Sequence, residues 1–119
     1  MKTNQKRKGN DMDMNEYQQQ AMRIAPYPAT QRIIYPTLGL TGEAGEVADK
    51  VKKVMRDNGG FFDSHRKTEI AKEIGDVLWN CAALARDLGY DLDVIAHINI
   101  AKLSSRKERG VIGGEGDNR

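Results

Sequence analysis

Cysteine, aromatic residues, long apolar runs and an excess of one charge are all scarce in this chain, and each shortage closes off a class of protein. The single Cys81 excludes an internal disulfide framework. It lies among apolar neighbours at helical spacing, so a small core residue is expected there rather than a reactive thiol. Aromatic residues make up 6% of the chain, so aliphatic side chains must supply the core. No apolar stretch approaches the roughly 20 residues that span a bilayer. The first residues also lack the apolar segment of a signal peptide. A reducing, cytoplasmic setting without a membrane partner is therefore expected. The net charge of +2 is too small to favour strong nucleic-acid binding, and none is expected.

What the sequence does contain is helical periodicity and unevenly placed charge. Its 119 residues make one domain. The hydrophobic content of 39% supports a modest core with little margin, so part of the apolar surface is expected to pack against other copies of the chain. Lys2, Lys6, Arg7 and Lys8 crowd the start, and residues 1–12 read as a solvated, disordered basic tail. The domain proper then spans 13–119.

Four helices are expected. The first covers 14–25, capped by Asp13 or Asn15 and stopped by Pro26 and Pro28. The second covers about 30–57. Pro36 falls inside it and requires a kink or a fresh start, and Asn58-Gly59-Gly60 ends it. The third runs from about Arg66 to Leu88 with Gly89 as its C-terminal cap. The fourth opens at Asp91 or Asp93 and ends near Arg109, before a glycine-rich end. No segment alternates as a strand would, so the fold class is all-α, an antiparallel bundle of about four helices completed by oligomerisation.

The third helix carries two rows of residues. Ile70, Ile74, Val77, Leu78, Cys81, Leu84, Ala85 and Leu88 fill an arc of about 120° at 100° per residue, a core face. Glu69, Glu73, Asp76 and Asn80 run along one edge of it. The second helix repeats the layout. Leu40, Ala44, Val47, Val51, Val54 and Met55 form the apolar arc, and Glu43, Glu46, Lys50 and Lys53 form the edge row. If the two helices pack antiparallel, both acidic rows meet at one seam. Two carboxylates about 4 Å apart repel by roughly 4 kcal/mol near a protein surface, so a group of four calls for a cation or raised pKa values. Oxygen-only ligands suit Mg²⁺ or Mn²⁺, which in turn suit phosphate-bearing substrates.

A Glu-x-x-Glu on a helix is common on solvated faces, and Glu46 with Lys50 makes an ordinary surface pair. Two acidic pairs on matching edges of neighbouring helices favour the metal site. Gly39, Gly42, Gly45 and Gly75 cost helix stability and mark close approach of backbone or ligand around the acidic pairs.

The runs LGLTGEAGEVADKVKK and EIAKEIGDVLW resemble the MazG-like all-α nucleotide pyrophosphohydrolases. That superfamily's signature is ExxE, a spacer and ExxD, matched here by Glu43-Ala-Gly-Glu46 and Glu73-Ile-Gly-Asp76. The resemblance covers about residues 14–119. It implies that Glu43, Glu46, Glu73 and Asp76 bind two or three Mg²⁺ ions, with Mn²⁺ as a substitute. It also implies hydrolysis of a (d)NTP to the monophosphate and pyrophosphate, with Glu46 and Glu43 as catalytic residues and Glu46 as the base for water. A purine deoxynucleoside triphosphate is the expected substrate. Asn99, Lys102 and Arg106 share a face of the fourth helix; similar proteins touch substrate there, which assigns Asn99 to base, sugar or metal-site contact and Lys102 and Arg106 to phosphate. Lys50 and Lys53 are further phosphate candidates, and Arg119, in the terminal GDNR, is one that closes over phosphate. Asn80 stands where the family pattern has an aromatic residue and marks a polar base contact. The wheel position of Trp79 favours helix packing or a subunit interface over the alternative, stacking on a base. His65 and His97 lack ligand-spaced partners and receive no role. A homo-oligomer is implied, a tetramer over a dimer, with a second chain completing the pocket. The rival readings are a phosphoribosyl-ATP pyrophosphohydrolase and a non-catalytic helical binding module. The glycine-rich acidic run favours the MazG side over the first, and two complete acidic pairs speak against the second.

Overall fold

The computed structural model describes residues 11–117, which form α1 (Met14–Met22), a 3-10 turn (Ala29–Gln31), α2 (Ile34–Asp57), α3 (Ser64–Asp87) and α4 (Leu92–Glu108). No strand occurs among the described residues, as expected for an all-α chain. The basic cluster in residues 1–8 and the terminal Arg119 lie outside the described residues.

Local chemistry explains where each helix begins. Asp13 caps α1 by accepting the Glu16 N–H at 2.8 Å, and Asp63 caps α3 by accepting the Arg66 N–H at 2.8 Å. α3 therefore starts at Ser64, ahead of the expected Arg66. α2 starts at Ile34 instead of residue 30. The Ile34 N–H reaches back to the Arg32 carbonyl at 2.8 Å, and Ile33 between them has φ +71° and ψ −52°, a γ-turn that strains a β-branched residue. Pro36 then falls in the first turn of a new helix, where its missing N–H costs nothing. It marks a fresh start, and its side chain is fully buried.

Residues 58–63 turn the chain back, so α2 and α3 pack antiparallel. Gly39 meets Asn80 and Lys50 meets Glu73, as that register requires. The C-terminal half of α3 holds the small core, Ala82 and Ala85 with Leu92, against which Tyr17 and Met22 of α1 pack. Gly89, at φ +85°, ends α3, and the Tyr90 N–H bonds the Ala85 carbonyl at 2.8 Å.

The start of α4 is capped from a distance. Gln18, buried on α1, donates to the carbonyls of Ala82 and Tyr90 at 3.1 Å each and accepts the Leu92 N–H at 3.1 Å. Asn15 accepts the Asp93 N–H at 3.0 Å. The helix opens at Asp91, as expected, but Asp91 makes no side-chain cap bond, and one face of α1 satisfies the orphan donors instead.

Much of the expected core face stays uncovered within one chain. Met55 is 60% exposed and Ile74 55%. Along α4, Ile98 and Ile100 are 55% and 62% exposed. No helix among the described residues is long and apolar enough to cross a membrane.

Candidate metal and nucleotide site

The antiparallel register of α2 and α3 brings Glu43 of the first acidic pair to both members of the second, three of the four carboxylates expected to meet. One carboxylate oxygen from each of Glu43, Glu73 and Asp76 lies within 4.8 Å of the others. Glu43 and Glu73 are half-buried and Asp76 is exposed. Glu46 stands on the exposed side of α2, outside this trio but close enough for its charge to act on Glu43.

The trio is electrostatically unfavourable by itself. Burial, then the charges of Asp76, Glu73 and Glu46, then a hydrogen bond shared with Glu73, hold the Glu43 carboxyl above the usual glutamate range. Crowded carboxylates favour a shared proton or a bound cation. Among the described residues, the Lys50 ammonium, 3.6 Å from a Glu73 oxygen, forms the trio's ion pair. Three oxygen donors so placed fit a hard divalent cation.

A cleft of about 470 Å³ opens beside the carboxylates. Tyr35, Leu38 and Trp79 form its walls, Gly39 and Asn80 its floor, and Glu43 and Asp76 its acidic end. Each wall is fixed. The Tyr35 ring stacks on Tyr27 with centroids 4.7 Å apart. The Trp79 indole N–H donates to the Ala21 carbonyl at 3.2 Å, so this side chain packs against α1 and also faces the cleft. The Asn80 amide donates to the Asp76 carbonyl at 2.9 Å and is 5% exposed. A Cβ placed on Gly39 would lie 2.1 Å from Asn80 Oδ1, so only glycine permits this approach. At Gly42, Gly45 and Gly75 a Cβ would meet nothing within 4 Å. Within one chain, the close approach expected at all four glycines occurs at Gly39 alone.

The chain matches the model of the MazG nucleotide pyrophosphohydrolase domain over residues 34–111. It belongs to that family. The matched span contains the whole of α2, α3 and α4, and with them every residue of the acidic seam. The Gene 37 protein of Mycobacterium phage L5 is 43% identical over 114 residues, covering 91% of this chain and 100% of its own length. No solved structure matches the chain. α1 lies outside the family match, yet it anchors Trp79 and caps α4.

The basic candidates are placed in two groups. Lys50 reaches the seam through Glu73. Lys53 instead pairs with Asp49, one turn away on the same helix, at 2.7 Å, the ordinary i,i+4 arrangement. On α4, Asn99 is exposed, while Lys102 and Arg106 turn toward the C-terminal segment. The Lys102 ammonium lies 3.2 Å from the Asp117 carboxylate. Arg106, only 4% exposed, donates to the Asp117 carbonyl at 2.8 Å and to the Gly116 carbonyl at 3.3 Å, while its buried Nε has no partner among the described residues. Hydrogen bonds from Lys102 and then Arg106 hold the Asp117 carboxyl below the usual range.

Sequence reasoning missed one cluster that shapes the cleft. Asp87, at the end of α3, accepts from the Tyr27 hydroxyl and from the Ile33 N–H, each at 2.9 Å, and pairs with Arg86 at 3.1 Å. Arg86 also lies over the Tyr27 ring. This knot fixes the γ-turn that starts α2 and so sets Tyr35 at the cleft mouth. Its partners are more than fifty residues apart, and no periodicity links them.

Proposed function

We propose that the chain is a divalent-cation-dependent nucleoside triphosphate pyrophosphohydrolase that converts a (d)NTP to the monophosphate and pyrophosphate. The observation that carries this reading is the trio Glu43, Glu73 and Asp76 at one end of a base-sized cleft. When bound, Mg²⁺ supplies positive charge that neutralises the carboxylates and polarises the phosphate oxygens. Glu43, Glu73 and Asp76 hold the cation, with Glu46 at the outer edge. The cleft orients the nucleoside so that its α-phosphorus lies by the acidic end. A water oxygen bonds to that phosphorus, and the bond to the oxygen bridging α- and β-phosphorus breaks. The electron pair leaves on pyrophosphate, and Glu46 takes the water's proton. As an exposed carboxylate beside the trio, Glu46 suits that role. Lys50 is the cation best placed to meet the phosphates.

A cleft of about 470 Å³ accommodates a purine, in line with a purine deoxynucleoside triphosphate as favoured substrate. The uncovered apolar side chains of α2, α3 and α4 support a homo-oligomer, a tetramer over a dimer, in which a second copy covers these faces. In light scattering, a monomer as the sole species would contradict that part.

The test of the activity is a product assay. The protein is incubated with Mg²⁺ and each common dNTP and NTP, with Glu46→Ala and Glu73→Ala as controls, and the products are separated by chromatography. Monophosphate and pyrophosphate formed by the parent chain and lost in both variants would support the reading. Absence of turnover with Mg²⁺ and with Mn²⁺ would overturn it.

A further inference from the structure

The floor of the cleft carries a hydrogen-bonding group whose orientation is fixed. Asn80 is buried on α3, and its amide lies 2.9 Å from the Asp76 carbonyl. A carbonyl can only accept, so the amide NH₂ must face it. Oδ1 is thereby turned toward Gly39 at the bottom of the cleft. Among the described residues no donor meets this oxygen. Asn80 and Gly39 line the same cleft as Tyr35 and Trp79, and the Asn80 amide oxygen there lacks a hydrogen bond that a ligand can supply. The aromatic walls suit a flat ring, and the acidic end places that ring next to a cation-bound phosphate chain.

We propose that Asn80 determines base specificity, its Oδ1 accepting a hydrogen bond from an exocyclic amino group, so that adenine and cytosine are taken in preference to their oxo counterparts hypoxanthine and uracil. This rests on the proposed reading of the site as a nucleoside triphosphate pyrophosphohydrolase. A 6-amino or 4-amino group donates to Oδ1. A 6-oxo or 4-oxo group places oxygen against oxygen, and the buried acceptor stays unpaired. Gly39 is the positioning residue, since any side chain there would push the Asn80 amide off its axis.

The test uses matched pairs that differ at that one group: dATP against deoxyinosine triphosphate, and dCTP against dUTP. With the parent chain and Mg²⁺, kcat/KM is expected to favour the amino member of each pair by about tenfold or more, the effect of one unmet buried hydrogen bond. In Asn80→Ala the gap is expected to close to about twofold. Equal kcat/KM within both pairs in the parent chain, or an unchanged gap in Asn80→Ala, would overturn the proposal while leaving the activity intact. The parent comparison needs no variant, so poor folding of Asn80→Ala does not remove the test. Calorimetric binding of dAMP against dIMP separates the two levels of the reading. Tighter dAMP binding without hydrolysis of any triphosphate would retain the base selection and overturn the activity. Equal or absent binding of both would overturn the base selection.

Discussion

Two acidic sites on α3, three turns apart, show opposite solutions to the same problem. At the C-terminal end the Asp87 side chain is fully buried. Burial alone would push its proton affinity up, but the Ile33 N–H, the Tyr27 hydroxyl and Arg86 outweigh that, and its carboxyl stays below the usual range. Toward the middle of the helix, Glu73 and Asp76 meet Glu43, whose carboxyl is held above its range by burial and by its acidic neighbours. Asp87 is surrounded by donors from the chain itself and acts as a structural pin. The seam carboxylates meet chiefly one another, with Lys50 at the margin. An acidic group that the fold leaves uncompensated is where a ligand from outside is expected.

Substitution sharpens this contrast. The largest effect is expected at the seam. Glu73→Gln should lower turnover by at least about a hundredfold, the scale of losing one preorganised electrostatic group, while the melting temperature in EDTA stays level or rises because a repulsion is gone. Parallel loss of stability would place Glu73 with Asp87 as a structural residue. Asp87→Ala should show the reverse. Urea unfolding is expected to show a loss of about 3 kcal/mol, as for a broken buried ion pair, and turnover in the molecules that remain folded should fall far less than in Glu73→Gln, through the loosened Tyr35.

A smaller effect links pH to the cation. Because the Glu43 carboxyl is raised in the folded chain, its contribution to stability is present below the unfolded glutamate's titration and is lost as pH rises through the folded value. Asp87 and the other lowered carboxylates act in the opposite direction, so the informative quantity is the stabilisation produced by Mg²⁺ at each pH. Mg²⁺ should raise the melting temperature clearly at pH 7.5 and little at pH 5. A shift of equal size at both would contradict the proton–cation competition. The smallest effect is expected at the C-terminal latch. Asp117→Asn should leave the melting temperature unchanged while hastening amide hydrogen exchange over residues 111–117, because Lys102 and Arg106 lose the charge they hold.

The legible parts of this molecule were those encoded within one helix turn or by a repeat of the helix period. Glu43 with Glu46, Glu73 with Asp76, the Gly89 stop and the all-α class are of that kind. Contacts between distant polar residues were not. Asn15 reads as a candidate cap of its own helix and Gln18 carries no signal in the sequence, yet they cap α4 more than seventy residues away. Lys53, Lys102 and Arg106 have the right chemistry for phosphate, while the partners each holds within the chain are not readable from charge alone. Asp49 is one turn from Lys53, and Asp117 is brought to Lys102 and Arg106 by the returning tail. The start of α2 was misplaced because the γ-turn at Ile33 is held by Asp87, a tertiary contact with no local signature.

The most direct test of the central claim is hydrolysis in heavy-oxygen water, with the label located by mass spectrometry after incubation of the parent chain with Mg²⁺ and its best dNTP. Attack on the α-phosphorus at the carboxylate seam predicts one heavy oxygen in the nucleoside monophosphate and none in pyrophosphate. Label in pyrophosphate or orthophosphate, or labelled monophosphate formed by Glu73→Gln at the parent rate, would contradict it.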